Sequence, residues 1–210
     1  MAANWTSFLP GILPEVETCP MLVAQWAVRE TAIKFLADTK IWQETQAPYT
    51  ITSTPLSYEF VTATGSRVAQ IMAAQVNGLE LDILTPERCD EVYQNWRTGR
   101  TGTIEAVTQI GPDAFSVVPQ PVATTSLLLM VALQPTRDAI DGPDFLFDDY
   151  YETICLGAKS RLMLMNEAEW ANPRLAAIYG EMAADQLVQA RSRRNRAFGR
   201  AVTRVRGQFL

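Results

Sequence analysis

The chain has 210 residues, 48% hydrophobic and 20% charged, with three cysteines, no histidine and a formal net charge of −5. Such a chain suits one globular domain, or a domain carrying one inserted module; folding would bury roughly 70% of its unfolded surface, and wholesale disorder is excluded. Without histidine there is no Ser-His-Asp triad, no Cys-His pair, no histidine metal site and no histidine proton shuttle.

Residues 1 to 10 carry neither a basic segment nor a long apolar run, so no signal peptide is predicted. The first helix is predicted from about Pro20 to Trp42, because proline suits a first helical position. Leu22, Trp26, Ile33 and Leu36 form its apolar stripe, widened by Val28, Ala32 and Phe35. Residues 46 to 135 read as β. Asn77-Gly78 is the clearest hairpin turn, because both central positions of that turn need positive φ. Val68 to Val76 is the strand before it; after it, Leu79, Leu81 and Ile83 alternate with Glu80 and Asp82, as in a half-buried strand. Thr85-Pro86-Glu87 opens a short helix to about Trp96, with Thr85 as its cap. Strands are predicted at about Thr103–Ile110, Ala114–Val118 and Thr125–Leu133, the first two joined by the turn Gly111-Pro112-Asp113.

A second long helix is predicted over about Asp144–Glu167, where Phe147, Tyr151, Ile154, Ala158, Leu162 and Met165 recur at helical spacing. Acids in its first turns favour the positive helix end. A third starts at the cap Asn172 and at Pro173, and Leu175, Tyr179, Met182 and Leu187 lie along it. The predicted fold is therefore α+β: a bundle of three long helices, a small inserted antiparallel β module and an extended basic C-terminal tail. Its parts are an N-terminal arm with the first bundle helix (1–45), the β module with its short helix (46–135), the second and third bundle helices (136–196) and the tail (197–210). The longest apolar stretch, Leu127–Leu133, is far short of the ~20 residues a spanning helix needs, so the expectation is a soluble protein with no membrane partner.

The charge is split along the chain. Residues 191 to 210 hold seven arginines and no acid, which leaves the rest of the chain at −12. Such asymmetry points to a tail that meets a polyanion or an acidic protein surface. The candidate partner-binding residues are Arg191, Arg193, Arg194, Arg196, Arg200, Arg204 and Arg206, with the terminal Phe209 and Leu210. Arginine's planar fork suits carboxylates on a protein neighbour, and its charge suits phosphate. Only two aromatics lie there, so stacking on single strands is poorly supported.

The one candidate for chemistry is the acid cluster Asp138, Asp141, Asp144, Asp148, Asp149 and Glu152, in which Asp148 and Glu152 share a helix face. It lacks the spacing and glycine of a calcium loop, and acids at a helix start are ordinary, so no metal is predicted. No phosphate-binding loop and no nucleophile elbow occur, and no cofactor is expected. Cys19, Cys89 and Cys155 are odd in number, widely spaced and without a histidine partner; they read as reduced structural thiols.

Leu13-Pro14-Glu15-Val16, Cys19-Pro20 and a helix with Ala27-Val28-Arg29 and Phe35 closing at Trp42 resemble the start of head-to-tail adaptor (connector) proteins of tailed bacteriophages. The resemblance continues through Asn77-Gly78-Leu79-Glu80-Leu81, Leu84-Thr85-Pro86-Glu87, Trp96, Pro119-Gln120-Pro121 and Pro135, then through the helix Tyr150 to Met165 and the arginine-rich last helix. It spans nearly the whole chain, and it is the order and spacing of these features, not any single motif, that carry it. It implies a virion structural protein without catalysis, made in the host cytoplasm. Copies would form a homo-oligomeric ring, usually of twelve, beneath the portal protein. The ring would continue the channel for genomic DNA and offer a platform to a downstream tail or nozzle protein. Another ring component of the neck, a stopper or tail terminator, and a nucleic-acid-binding protein acting through the arginine tail are the alternatives.

Overall fold

The computed structural model describes residues 2–196. In chain order the elements are β1 (Ala2–Asn4), 3-10 segments Trp5–Gly11 and Leu13–Glu15, α1 (Met21–Thr39), β2 (Gln43–Thr45), β3 (Tyr49–Ile51), β4 (Tyr58–Glu59), β5 (Ser66–Val76), β6 (Leu79–Glu80), β7 (Asp82–Leu84) and α2 (Pro86–Val92). A 3-10 turn at Trp96–Thr98 follows, then β8 (Thr101–Gly102), β9 (Ala106–Gln109), β10 (Ala114–Val118), β11 (Gln120–Pro121), β12 (Thr125–Pro135), β13 (Asp141–Pro143), α3 (Phe145–Asp149), α4 (Tyr151–Met163) and α5 (Pro173–Arg196). The chain divides into two units: residues 42–139, and residues 1–41 together with 140–210.

This corrects the predicted fold class. Thirteen strands in four sheets lie among the described residues, so the molecule is mixed α/β and not a three-helix bundle with a small β module. The inserted unit is nearly half of the chain. The second predicted helix is also not one element. The chain leaves helical geometry at Tyr150 (φ −127°, ψ 17°), which separates α3 from α4, and α4 stops at Met163.

The β unit packs two sheets face to face. One has the order β2-β12-β5-β6, with β3 also on β12; the other has the order β4-β10-β9-β7. Strands β5 and β12, eleven residues each, pair antiparallel along their length, with register shifts at Met130/Val131 and Ala132/Leu133. Such bulges bend a strand and increase its twist. Residues of both sheets meet in one core that includes Ile71, Leu127, Leu129, Val107 and Phe115. Phe115 is fully buried, and the rings of Tyr49, Tyr58 and Phe60 surround it at centroid distances of 5.0, 5.6 and 5.1 Å. The second sheet is also covered on its outer side: Cys89, Tyr93 and Trp96, in and just after α2, pack on Ala106 and Val118. That double cover explains why Phe115, Ser116, Val117 and Val118 are all buried in succession.

The segment read as one half-buried strand, Leu79 to Ile83, behaves differently. Leu79 is 72% exposed and Ile83 is 39% exposed; only Leu81 is buried. The chain changes sheets there: Leu81 N donates to Ala74 O in the first sheet, and Asp82 N donates to Glu105 O at the start of β7's parallel pairing with β9. The turn before it forms as its sequence predicts, with Asn77 at φ 51° and Gly78 at φ 81°.

The helical unit is built on α1, α4 and α5. The buried face of α1 is Ala24, Ala27, Val28, Ala32, Phe35, Leu36 and Thr39. The predicted stripe is corrected here, since Leu22 is 78% and Trp26 38% exposed. Small residues set the helix spacing. A Cβ on Gly157 of α4 would lie 2.5 Å from the Thr31 methyl of α1. The bulk comes from the N-terminal segment, where Phe8 stacks on Tyr151 at 5.5 Å and meets Phe147 edge-on. β1 pairs antiparallel with β13, which ties residue 2 to the chain just before α3. No helix among the described residues is long and apolar enough to cross a membrane.

Candidate functional site

The arginine-rich end of α5 is the region singled out by charge. Its helix starts where expected, with Asn172 Oδ1 accepting from Leu175 N at 3.1 Å, and this capping fixes the phase of the arginines that follow. Three of them fold back on their own unit. Arg191 Nε donates to Asp38 O at 3.0 Å, and its guanidinium lies 3.9 Å from the Asp38 carboxylate. Arg194 Nη1 donates to Thr39 O at 3.1 Å. The Arg193 guanidinium sits 5.9 Å from the Tyr150 ring centre; burial raises the pKa of that phenol, against the pull of the Arg193 charge.

These contacts have a physical reason. The last carbonyls of an α-helix have no partner within the helix and sit at its negative end. α1 turns off at Lys40, in the left-handed region at φ 52°, and Lys40 N closes on Leu36 O. The carbonyls of Asp38 and Thr39 are then met by cations from α5. Arg191, Arg193 and Arg194 therefore serve the helical unit itself. Arg196 ends α5, while Arg200, Arg204, Arg206, Phe209 and Leu210 lie outside the described residues.

A second cluster was not singled out by sequence. Glu15, in the second 3-10 segment, accepts from Lys159 Nζ of α4 at 2.6 Å and from the Tyr179 hydroxyl of α5. The Lys159 ammonium lies 5.4 Å from the Tyr179 ring centre. Partial burial alone would raise the Glu15 carboxyl, but the hydrogen bonds from Lys159 and Tyr179 and the Lys159 charge hold it below its ordinary value. The Tyr179 phenol is raised in turn, first by its bond to Glu15. The three residues bind the N-terminal segment to two helices. At sequence separations of 144 and 164 no local signal links them.

The acid cluster is not gathered into a site. Among the described residues no group of three or more Cys, Asp or Glu side chains is placed to hold a metal ion. Asp141 lies in β13, Asp148 and Asp149 in α3, and Glu152 in the first turn of α4. A different acid, Asp90 of α2, accepts from Trp96 Nε1 at 2.7 Å and from both forks of Arg97, whose guanidinium stacks 4.5 Å from the Trp96 ring centre. The arrangement pins the 3-10 turn to α2. All three cysteines are buried free thiols. Burial raises each of them, and Cys155 is pushed up to about 11 even though Tyr151 and Lys159 pull it down. A thiol so far above neutral pH has little of the thiolate that nucleophilic chemistry needs.

Between α1, α4 and α5 lies an open groove of about 430 Å³, lined by Phe35, Gly157, Gly180 and Leu187 and bordered by Lys34, Asp38 and Arg191. Its hydroxyls donate within the helical unit: Thr31 to Ala27 O, Thr153 to Gln186 Oε1 and Ser160 to Ala176 O. In comparisons with known proteins, no protein family and no curated protein sequence matches the chain.

Proposed function

We propose that the chain is a non-catalytic structural subunit of a tailed-bacteriophage neck: a head-to-tail adaptor. Its copies close into a ring beneath the portal protein, of twelve subunits as the resemblance implies, continue the DNA channel and present a platform to the tail. The order and spacing of the motifs along nearly the whole chain support this reading. So does a helical unit whose helices are separated in sequence by a large β insertion. The observation that carries it is the charge split, a body of −12 followed by seven arginines within twenty residues. An acidic ring repels phosphate and lets DNA slide without sticking, while a basic, apolar-ended segment fastens each subunit to its neighbours through many weak contacts. The inward use of Arg191, Arg193 and Arg194 argues against a DNA grip by those three.

The test is electron microscopy of the purified chain, alone and mixed with portal rings from the same phage. The expected image is a ring stacked coaxially on the portal. Bare portal rings beside a chain that stays monomeric overturn the reading. Salt titration of the isolated chain on duplex DNA supplies a control: tight binding that collapses with salt would make it a nucleic-acid-binding protein instead.

A further inference from the structure

The β unit holds two strongly exposed apolar side chains on one groove. Leu79 follows the hairpin turn between β5 and β6, Val122 follows β11, and they are 72% and 77% exposed. The groove, about 440 Å³, is also lined by Val76, Leu81, Ile104 and Pro121. A single exposed leucine is ordinary. Two of them facing a groove with a partly buried apolar lining form a surface that gains from being covered. One wall is the end of the β5–β6 hairpin, and β6 pairs with β5 alone among the described residues. The other wall is the β8–β11 ribbon.

No charged residue lines the groove itself, but acids border its lining in the sequence. Glu80 and Asp82 flank Leu81 on the hairpin wall and Glu105 follows Ile104, while Arg100 precedes β8. Glu80 and Asp82 are exposed; Glu105 already accepts from the Tyr93 hydroxyl at 3.0 Å. The complement lies in the same sequence. Residues 197–210, past the end of α5, hold Arg200, Arg204 and Arg206, no acid, and the apolar Val202, Val205, Phe209 and Leu210. Val202-Thr203-Arg204-Val205-Arg206 is rich in β-branched residues, which favour an extended strand. Eleven residues from Arg200 onward span up to roughly 36 Å when extended, ample to follow a hairpin edge and fill the groove beside it.

We propose that this groove receives residues 200–210 of a second copy of the chain. In this arrangement the segment runs along β6 with Val205 and Phe209 toward Leu79 and Val122, and with Arg204 and Arg206 on the alternate face, toward Glu80 and Asp82. One subunit then carries both halves of a contact on different parts of its surface, the arrangement that propagates copy to copy and forms a ring where the rotation between copies closes. The supply of the segment by a second copy rests on the ring reading above; the groove and its ligand do not.

The test uses a synthetic peptide of residues 197–210 and the chain ending at Arg196. Fluorescence anisotropy is expected to show saturable binding that weakens with added salt. Leu79→Asp with Val122→Asp should weaken it at least tenfold, and Glu80→Gln with Asp82→Asn should flatten its salt dependence. Both pairs are surface changes, and circular dichroism with thermal melting checks that each variant folds; Leu79→Ser is the milder substitute. Absent binding, or equal binding to the groove variant, overturns the site. The source of the segment is read by mixing. The full-length groove variant and the shortened wild-type chain, each monomeric alone, should form a one-to-one complex in sedimentation velocity. If instead the shortened chain binds peptide while the full-length chain stays monomeric and refuses it, the segment occupies its own groove and the second-copy proposal fails. Neither result depends on portal rings, so a failure here and a failure of the adaptor reading are told apart.

Discussion

Both units bury bulky side chains, but their elements approach one another differently. The β unit buries large side chains, with Ile71, Leu127, Leu129, Leu133 and Phe115 fully enclosed between its sheets. Its counterpart encloses Phe8, Leu36, Ile154 and Leu162 as fully, but adds small residues on its helices: Ala24, Ala27 and Ala32 on α1, Gly157 and Ala158 on α4, Ala176 and Ala190 on α5. The last helix is the extreme case, since those two alanines are its only fully buried hydrophobic residues among those described. Polar hooks do much of its fastening: Ser160 to Ala176 O at 2.8 Å, Thr153 to Gln186 at 2.6 Å, Tyr179 to Glu15, and Arg191 and Arg194 to the end of α1. A core of bulky side chains is broken by making it smaller. A seam of alanine and glycine is broken by making it larger.

The largest effect is therefore expected at the centre of the β unit. Phe115→Ala removes a fully buried ring that three other aromatic rings touch. Deleting a buried phenylalanine leaves a cavity and costs about 3–5 kcal/mol. Urea unfolding followed by a probe within residues 42–139 should show that loss, and a cost below about 1 kcal/mol would mean the sheets close over the hole. The helical unit should respond to the opposite change. Gly157→Val places a branched side chain where a single Cβ already falls 2.5 Å from Thr31. Overpacking of this kind costs about 1–3 kcal/mol. The size of the penalty reports how rigidly α1 and α4 are held, and paired Thr31→Ala should return part of it.

A smaller effect is expected at the start of α2. Thr85 Oγ1 accepts from Arg88 N at 3.3 Å, and Thr85→Ala should cost about 1 kcal/mol, read as a shift of the urea midpoint with its slope unchanged. This cap belongs to the part of the fold that a local reading reaches. Thr85-Pro86 and Asn172-Pro173 mark helix starts because capping and proline geometry act within four residues. Asn77-Gly78 marks a turn because positive φ is a property of those residues themselves. What the local reading misses has a common cause as well. Phe147, Tyr151 and Ile154 keep helical spacing across Tyr150, so the periodicity cannot register the break that α3 and α4 make there. Leu79, Leu81 and Ile83 alternate as a strand should, but the segment passes from one sheet to the other and only Leu81 finds a core. The size of the β unit follows from pairings such as β5 with β12, whose partners lie 51 to 69 residues apart, which no short window contains. At the candidate site, a count of arginines singles out the end of α5. It could not tell that three of them would answer the carbonyls of α1 and the ring of Tyr150.

The smallest predicted effect concerns the N-terminal segment and depends on pH. Glu15 is held below its ordinary carboxyl value in the folded state, because Lys159 and Tyr179 outweigh the opposing effect of burial. A group lowered in this way contributes stability above its unfolded value, and that contribution is lost as pH falls through the folded one. Its side chain is 39% exposed, so solvent screening keeps the contribution below about 1 kcal/mol. Wild type should thus exceed Glu15→Gln by a few tenths of a kcal/mol or more at neutral pH, with the gap closing below about pH 4. Thermal or urea unfolding of the two proteins between pH 7 and pH 3 measures it. A gap that persists unchanged at the acid end would mean that Glu15 acts through neutral hydrogen bonds rather than charge. A gap that closes would show the charged fastening of the helical unit loosening in acid, as the Asp90 hook on Arg97 and Trp96 should in the β unit, where those two hydrogen-bond donors hold a carboxyl low.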